Sequence, residues 1–357
     1  MYFPYFYGRQ VELLALRDVA TDLAGRGVIT PIIEPVMSKP GNLTTCLAKL
    51  QETGASLYLI VNPSQGELSS GVPENWRQNV SKVVAEDKAV FPTHQISTQA
   101  DVAALPGFCE QFRDRRTGVV LRQPHIAPID LAAQISDHDA IVFVHASANP
   151  RVYLQGLPPD KCIEIVPSFT EQARNADYGA PEWFTSSHLQ FTKDGRSGFS
   201  DFGPLSRTFS LTGGRAGAVA IHLTYPHRDR SLWIQHFVSD TTDRDEGDVA
   251  SKIAEAVAKL AAEVEKIQID SLKHKEYEPI WPIKYLIFLS TSVNKSFTIW
   301  RLSLMCSPRI PHKIWIEVCG PPARHADARP SDGGRARARQ AAEGCGGYFW
   351  QIEKSAT

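Results

Sequence analysis

The chain has no C-x-x-C pair, no H-x-H or H-E-x-x-H spacing, and no G-x-G-x-x-G or Walker-type phosphate loop after any candidate strand. The first absence excludes a zinc ribbon. Six cysteines (Cys46, Cys109, Cys162, Cys306, Cys319 and Cys345) scattered over 357 residues do not indicate a disulfide framework either. The missing glycine loops remove the usual signature of a nucleotide-binding doubly wound sheet. Charge of one sign is also lacking: 38 basic side chains face 39 acidic ones, which excludes a polyanion-coating protein. Long apolar runs are missing as well. The most apolar stretch, 280–305, is cut by Lys284, Lys295 and Arg301. Its longest uncharged run is about ten residues, half of the ~20 that span a bilayer, so no membrane is expected as a partner. Met1-Tyr2-Phe3-Pro4-Tyr5 has neither a basic n-region nor an apolar h-region, so the expected setting is a reducing cytoplasm.

What is present is a rhythm. Short apolar runs rich in β-branched and aromatic residues recur at 3–7, 28–35, 56–63, 89–96, 118–123, 140–146, 162–168 and 218–225. Most are separated by helix-compatible segments. Val11, Leu14, Leu16, Val19 and Leu23 fit an amphipathic helix closed by Gly27, and Trp76, Val80, Val83 and Val84 follow a helix-starting Pro73. Val249, Ile253, Val257, Leu260, Val264 and Ile267 form a closing helix, with Asp243, Asp245 and Asp248 at its positive end. Eight near-continuous apolar runs alternating with helices over ~270 residues predict an α/β fold, a TIM-like (β/α)8 barrel. A long insertion, 169–217, precedes the run taken as the last strand. The runs 218–225 and 231–238, joined by Pro226-His227-Arg228-Asp229-Arg230, add a β-hairpin that an ideal barrel lacks. The barrel domain is expected over 1–275.

In such a barrel the chemistry lies at the C-terminal ends of the strands. Side-chain alternation gives a common parity to Ile32 and Glu34, Ile60 and Asn62, Val90 and His94, Val120 and Arg122, and Phe143 and His145. The same holds for Glu164 with Val166 and Ser168, and for Ala220 with His222. Buried charges without partners are costly, so two readings stand: polarity simply resumes at strand ends, or a functional site lies there. In the second reading Glu34, His94, His145, Glu164 and His222 are candidate catalytic acids and bases, and Asn62, Arg122 and Arg215 are candidate substrate-binding groups. Glu34, Arg122, His145 and His222 are expected to converge, with Asn62, His94 and Glu164 nearby. Arg215 stands in Thr212-Gly213-Gly214-Arg215-Ala216-Gly217, whose glycines either cradle a phosphate or form a flexible turn. Three histidines and two glutamates have the donor types of a divalent metal site, but their spacing singles out no ligand set and none is assigned. Lys88 and Lys161 stand at N-terminal strand ends, which disfavours Schiff-base chemistry. Phe199-Ser200-Asp201-Phe202-Gly203 reads either as a lid or as part of a satellite core with Trp183 and Phe184.

A resemblance runs through the same segments. Tyr7-Gly8-Arg9-Gln10 with Glu12-Leu13-Leu14-Ala15-Leu16, Pro31-Ile32-Ile33-Glu34-Pro35 and Leu59-Ile60-Val61-Asn62-Pro63 resemble the beta-protein family of bacterial and phage proteins. Ala218-Val219-Ala220-Ile221-His222-Leu223-Thr224-Tyr225 and His236-Phe237-Val238-Ser239-Asp240 extend the likeness to about residue 270. It implies a barrel-like fold and a place in phage-defence or mobile-element gene neighbourhoods, and it transfers no catalytic residue. Beyond residue 275 the pattern stops. Residues 278–357 hold eleven Lys or Arg against six Asp or Glu, a local charge of +5, and 324–347 is rich in Ala, Arg, Gly and Pro. The stretch 276–357 reads as an irregular or disordered basic tail, the one segment that offers nucleic acid a surface, or as a shifted reading frame. Two functions of different classes stay open. One is an enzyme acting on a small anionic substrate at the C-terminal face of the barrel, with no cofactor assigned. The other is a non-catalytic binding or scaffold subunit working with a protein partner encoded nearby.

Overall fold

The computed structural model describes residues 1–204, 206–209 and 217–273, and the strand segments 286–291, 296–301, 315–319, 336–340 and 347–352. Side chains, Arg26 excepted, are described as far as Glu263. Two compact units are distinguished: residues 1–171, 183–211 and 226–233 form unit 1, and 172–182, 212–225 and 234–357 form unit 2.

Unit 1 is the α/β barrel. Its strands are β1 (Tyr2–Phe6), β2 (Ile32–Ile33), β3 (Leu57–Ile60), β4 (Val90–Ile96), β5 (Thr117–Leu121), β6 (Ala140–His145) and β7 (Cys162–Val166). After β8 (Glu182–Thr185), which is not a barrel strand, β9 (Phe199–Asp201) completes the set. All eight pairings are parallel, and β9 lies between β7 and β1, so the sheet has no edge.

The helices follow from local signals. Arg9 caps α1 (Gln10–Asp18), and Glu12, buried at the third helical position, accepts the Arg9 backbone N–H at 3.0 Å. Val19 interrupts the expected single helix, α2 (Ala20–Arg26) follows, and Gly27 at φ 60° ends it in the left-handed region. Next come α3 (Gly41–Thr53) and α4 (Glu74–Glu86); the latter starts after Pro73 and buries Trp76, Val80 and Val84. α5 (Gln99–Gln111), α6 (Pro128–Ile135) and α7 (Pro150–Gly156) cover the outside of β4–β6. Their Leu105, Phe108, Leu131, Ile135 and Tyr153 form one core with Ile96, Val119, Leu121, Val142 and Val144.

Register fixes which side chains face inward. The interior pairs include Tyr5 with Ile32, Tyr58 with Phe91, Val120 with Phe143 and Ile165 with Ser200. Phe3, Tyr58 and Phe143 meet edge to face there, with centroids 5.0–5.9 Å apart, and make an aromatic floor beneath the polar strand ends.

The eighth strand is not the one expected. The run at 218–225 is β10 (Val219–Pro226), which belongs to a second sheet, and β9 closes the barrel instead. The insertion before the closing strand therefore starts after β7 and ends at residue 198, and it contains β8 and the single turn α8 (Ser187–Gln190). β9 has only three residues, but its anchoring is dense. Phe199 N–H donates to Met1 O at 3.0 Å, and Ser200 Oγ donates to Phe3 O at 2.6 Å. Gly198 makes this approach feasible, because a Cβ there would stand 2.3 Å from Met1 O. The segment read as a lid or satellite core is thus barrel wall.

In unit 2, β10, β11 (Leu232–Val238), β12 (Leu286–Thr291) and β13 (Ser296–Arg301) are neighbours in the order β13-β12-β10-β11. The helix α9 (Val249–Lys273) buries Ala256, Val257 and Leu260, and Asp248 accepts the Ser251 N–H at 2.7 Å, as an N-terminal carboxylate should. Within 276–357, expected to be irregular, the described segments are strands. Besides β12 and β13 these are β14 (Trp315–Cys319), β15 (Ala336–Gln340) and β16 (Gly347–Ile352), an antiparallel sheet in the order β14-β16-β15. No helix among the described residues is long and apolar enough to cross a membrane.

Gly118 gives a direct check of the packed interior. A Cβ there would lie 2.7 Å from Thr93 Oγ1 and 2.9 Å from Tyr58 Cδ1, both fully buried. Gly118→Ala is expected to destabilise unit 1 by about 1–3 kcal/mol through overpacking, read by denaturant unfolding. An unchanged midpoint would mean that the barrel floor is loose.

Candidate active site at the C-terminal end of the barrel

Glu34 follows β2 and is fully buried, so its charge needs partners from neighbouring strands. It has two on one oxygen. Tyr5, from β1, donates its phenol to Glu34 Oε2 at 2.6 Å, and Arg122, just after β5, donates Nη2 to the same oxygen at 2.8 Å. The Gln95 carboxamide from β4 lies beside the carboxylate, yet Glu34 Oε1 has no hydrogen bond of regular geometry. Burial pushes the Glu34 carboxyl up, and the Arg122 charge opposes this. Burial also works against the Arg122 guanidinium, but Tyr5 and Glu34 outweigh it and hold the group firmly protonated. The pair is an ion pair, with the Arg122 side chain 12% exposed and therefore still in reach of solvent. Arg122 Nε makes no hydrogen bond.

His145, the last residue of β6, is the third member. Burial first, and then the positive charges of Arg122 and Arg207, push its pKa down to about 4, so the ring is neutral at pH 7. Its Nδ1 lies 2.7 Å from Ser147 Oγ and 3.2 Å from the Ser147 backbone nitrogen. Ser147 Oγ is also 2.7 Å from the Arg122 carbonyl. Nε2 faces the Arg207 carbonyl without reaching hydrogen-bond geometry. Phe202 packs against this group, with its ring 5.1 Å from Tyr5 and 5.4 Å from His145. Tyr7 donates its phenol to the Arg207 carbonyl at 2.6 Å, and Arg9 stacks over Phe209 at 4.8 Å. Two loops therefore meet over the strand ends.

Three of the four side chains expected to converge do so: Glu34 and Arg122 touch, and His145 lies within the field of Arg122. His222 stands on β10, a strand of the second sheet in unit 2 and not of the barrel. His94 is also outside the site. Its ring packs 5.2 Å from Phe108 of α5, and Nε2 meets the Asp101 carbonyl at 2.8 Å, so it faces the helix layer. Glu164 pairs in register with the outward-facing Val144 and interacts with Arg196, again on the outer face. Asn62 bonds the Gln95 backbone in both directions, at 2.7 and 2.8 Å, so its amide extends the β3–β4 ladder rather than reaching for a ligand. Arg215 lies outside the described residues.

Tyr5, Tyr7, Gln95, Ser147 and Phe202 were not foreseen. The alternation Phe3-Tyr5-Tyr7 and Phe91-Thr93-Gln95 carries the signal for three of them, since the inward parity of β4 runs through Gln95 and not through His94. Among the described residues no group of three or more His, Cys, Asp or Glu is arranged to hold a metal ion.

No family model matches the chain, and no curated protein is significantly similar to it. The geometry of the barrel end is therefore what carries a functional reading.

The charge pair can be tested by itself. Arg122→Gln leaves a buried carboxylate without its cation and is expected to cost about 3–5 kcal/mol. The double variant Glu34→Gln/Arg122→Gln removes both charges and should lose clearly less. A double-variant loss equal to the sum of the Glu34→Gln and Arg122→Gln losses, measured by denaturant unfolding, would show that the two groups are not coupled.

Proposed function

We propose that the C-terminal end of the barrel is an active site for a small anionic substrate, with Arg122 as its anion anchor and His145 as its general acid–base. The observation that carries this reading is the positive field at His145: two guanidinium groups depress its basicity although Glu34 is bonded to one of them. A site that is net positive while dry favours an anion. Arg122 keeps a solvent-reaching edge for that purpose.

The Ser147 contacts support proton transfer at His145. Its single hydroxyl proton has two acceptors at equal distance, His145 Nδ1 and the Arg122 carbonyl. If the hydroxyl donates to Arg122 O, Nδ1–H donates to Ser147 Oγ and Nε2 is a bare base. If it donates to Nδ1, Nε2 carries the proton and faces the Arg207 carbonyl as an acid. Hydroxyl rotation and ring tautomer are thus linked, and the Ser147 backbone N–H, which donates to Nδ1 at 3.2 Å, favours the arrangement with the proton on Nε2. Tyr5 and Glu34 hold Arg122 in position from below, and Phe202 keeps bulk water off the ring.

Membership of the beta-protein family, a phage-defence role and a protein partner encoded nearby belong to the same proposal and rest on the sequence resemblance, and a cytoplasmic setting rests on the N-terminal residues and scattered cysteines. The expectation that the basic tail offers nucleic acid a surface concerns side chains that lie outside the described residues.

Inorganic phosphate, pyrophosphate and small dicarboxylates are the first probes, read as shifts in melting temperature. An anion at about 100 times its Kd should stabilise the wild type by about 2.7 kcal/mol, and the shift should vanish in Glu34→Gln/Arg122→Gln. An anion also offsets the field that depresses His145, so binding takes up a proton. Affinity should therefore rise as the pH falls from 7 towards 5 in the wild type and stay flat in His145→Gln. Turnover, followed by mass spectrometry of a mixture of phosphate and carboxylate metabolites, should disappear in His145→Gln while anion binding persists. Anion shifts that survive the double charge variant would overturn the assignment.

A further inference from the structure

Unit 2 contains a second polar cluster that the barrel site does not use. His222 on β10 is fully buried, and His236 on β11 nearly so. Their Nδ1 atoms lie 2.8 Å apart, with rings 5.0 Å apart and almost perpendicular. Tyr178 closes over both, edge-on to His222 at 4.6 Å and stacked on His236 at 4.9 Å. Glu182 Oε1 stands 3.6 Å from His236 Nε2.

Two Nδ1 atoms at hydrogen-bond distance hold one proton between them, since one must donate and the other accept. Glu182 decides the direction. A carboxylate beside His236 Nε2 favours a proton on that nitrogen, which leaves His236 Nδ1 bare. His222 is then the Nδ1–H donor. We propose that His222 and His236 form such a one-proton dyad, and that it makes the folding of unit 2 sensitive to mild acid.

The argument is geometric. In the unfolded chain each histidine takes up a proton near its ordinary pKa of about 6.5. In the folded dyad, full protonation of both rings would set two N–H bonds head to head across 2.8 Å. One added proton is all that the geometry admits, and on His222 it would be a buried charge beside a second imidazole. Burial and the second ring both oppose protonation of His222, and burial depresses His236 to about 4. Tyr178 meets His222 with the edge of its ring, and the Glu182 carboxylate stands on the His236 side of the dyad. On β12 the residue opposite His222 is Phe288. Among the described side chains of α9, Lys252 bonds the Gly217 and Asp243 carbonyls, Glu255 bonds Thr241, Lys259 pairs with Asp240, and Glu263 acts on Tyr225.

The sign follows from proton counts. Between the ordinary histidine pKa and about 4 the unfolded chain binds at least one more proton than the folded one. The stabilising contribution is complete above pH 6.5 and is lost as the pH falls, by about tenfold in the folding constant per pH unit for one linked proton.

The test uses the full chain. Nitrogen-15 NMR of the histidine rings at pH 7.5 should give His222 as the Nδ1–H tautomer and His236 as the Nε2–H tautomer. Neither ring should reach the imidazolium form before the folded signals of unit 2 disappear. Denaturant unfolding from pH 6.5 to 4.5 should show the wild type losing up to about a hundredfold more in folding constant than His236→Gln, whose amide oxygen can still accept from His222 but takes no proton. Parallel curves for the two proteins, or two folded rings titrating together near pH 6.5, would overturn the proposal. If His236→Gln does not fold, the wild-type ring titration decides alone.

Discussion

Glu34 and Arg122 are 88 residues apart in sequence and meet inside the barrel, where neither is tolerable without the other. Much of unit 1 follows from that constraint. The carboxylate stands just past a two-residue strand, so β2 must sit between β1 and β3 in a register that brings Tyr5 to one side. Arg122 must leave the end of β5 towards the axis, which fixes the parity of β5 and, through it, of β6 and His145. A one-residue slip of either strand would turn the charge into the helix layer and leave its partner buried alone. The pair is thus a register device as well as a chemical one. Removing both charges should cost the specificity of this arrangement more than its stability.

The polar end needs a floor and a roof. Below it the Phe3, Tyr58 and Phe143 rings fill the axis, and Gly118 yields the volume that Tyr58 occupies. Above it Gly8 turns the chain at φ 60°, close against the Glu34 carbonyl and Ile33, so that Arg9 can start α1 and reach Phe209. The segment Tyr7-Gly8-Arg9-Gln10 with Glu12, part of the family resemblance, is explained by this geometry alone: a tight turn over β2, a capping box and an arginine on an aromatic ring. Its chemistry is structural. The side chains with catalytic potential lie one turn or one strand away.

How much of this was legible depended on which physical signal each residue carried. Seven of the eight barrel strands announce themselves as apolar runs because helices cover their outer faces, while the eighth does not. Phe199–Asp201 is three residues long, inserted between Gly198 and Phe202, and is held by Met1 and Phe3 backbone groups almost two hundred residues away. No local window contains that information. The long run at 218–225 looked like a strand and is one, but β propensity says nothing about which sheet a strand joins. Parity was readable where a strand had a clear apolar partner, as in Phe143 with His145, and misleading on β4. There both faces of Val90–Ile96 are buried, so His94 and Gln95 are equally compatible with an inward position until register decides.

The two histidine sites illustrate a common rule with opposite consequences. A neutral imidazole has one N–H and one lone pair, and its role is set by what those two atoms meet. At His145 the partner is a hydroxyl, which can donate or accept, so the Nδ1–Ser147 Oγ hydrogen bond survives in either tautomer, while the Ser147 backbone N–H favours a bare Nδ1. The positive groups beside it make protonation costly until an anion arrives, which couples the proton to a ligand. At His222 the partner is another imidazole, and the carboxylate of Glu182 breaks the symmetry between the two rings. That arrangement has one low-energy proton distribution, which couples the proton to folding. Both rings are neutral at pH 7 chiefly because they are buried. Burial alone therefore does not distinguish a histidine that can do chemistry from one that holds strands together; the adaptability of the atom facing its nitrogen does.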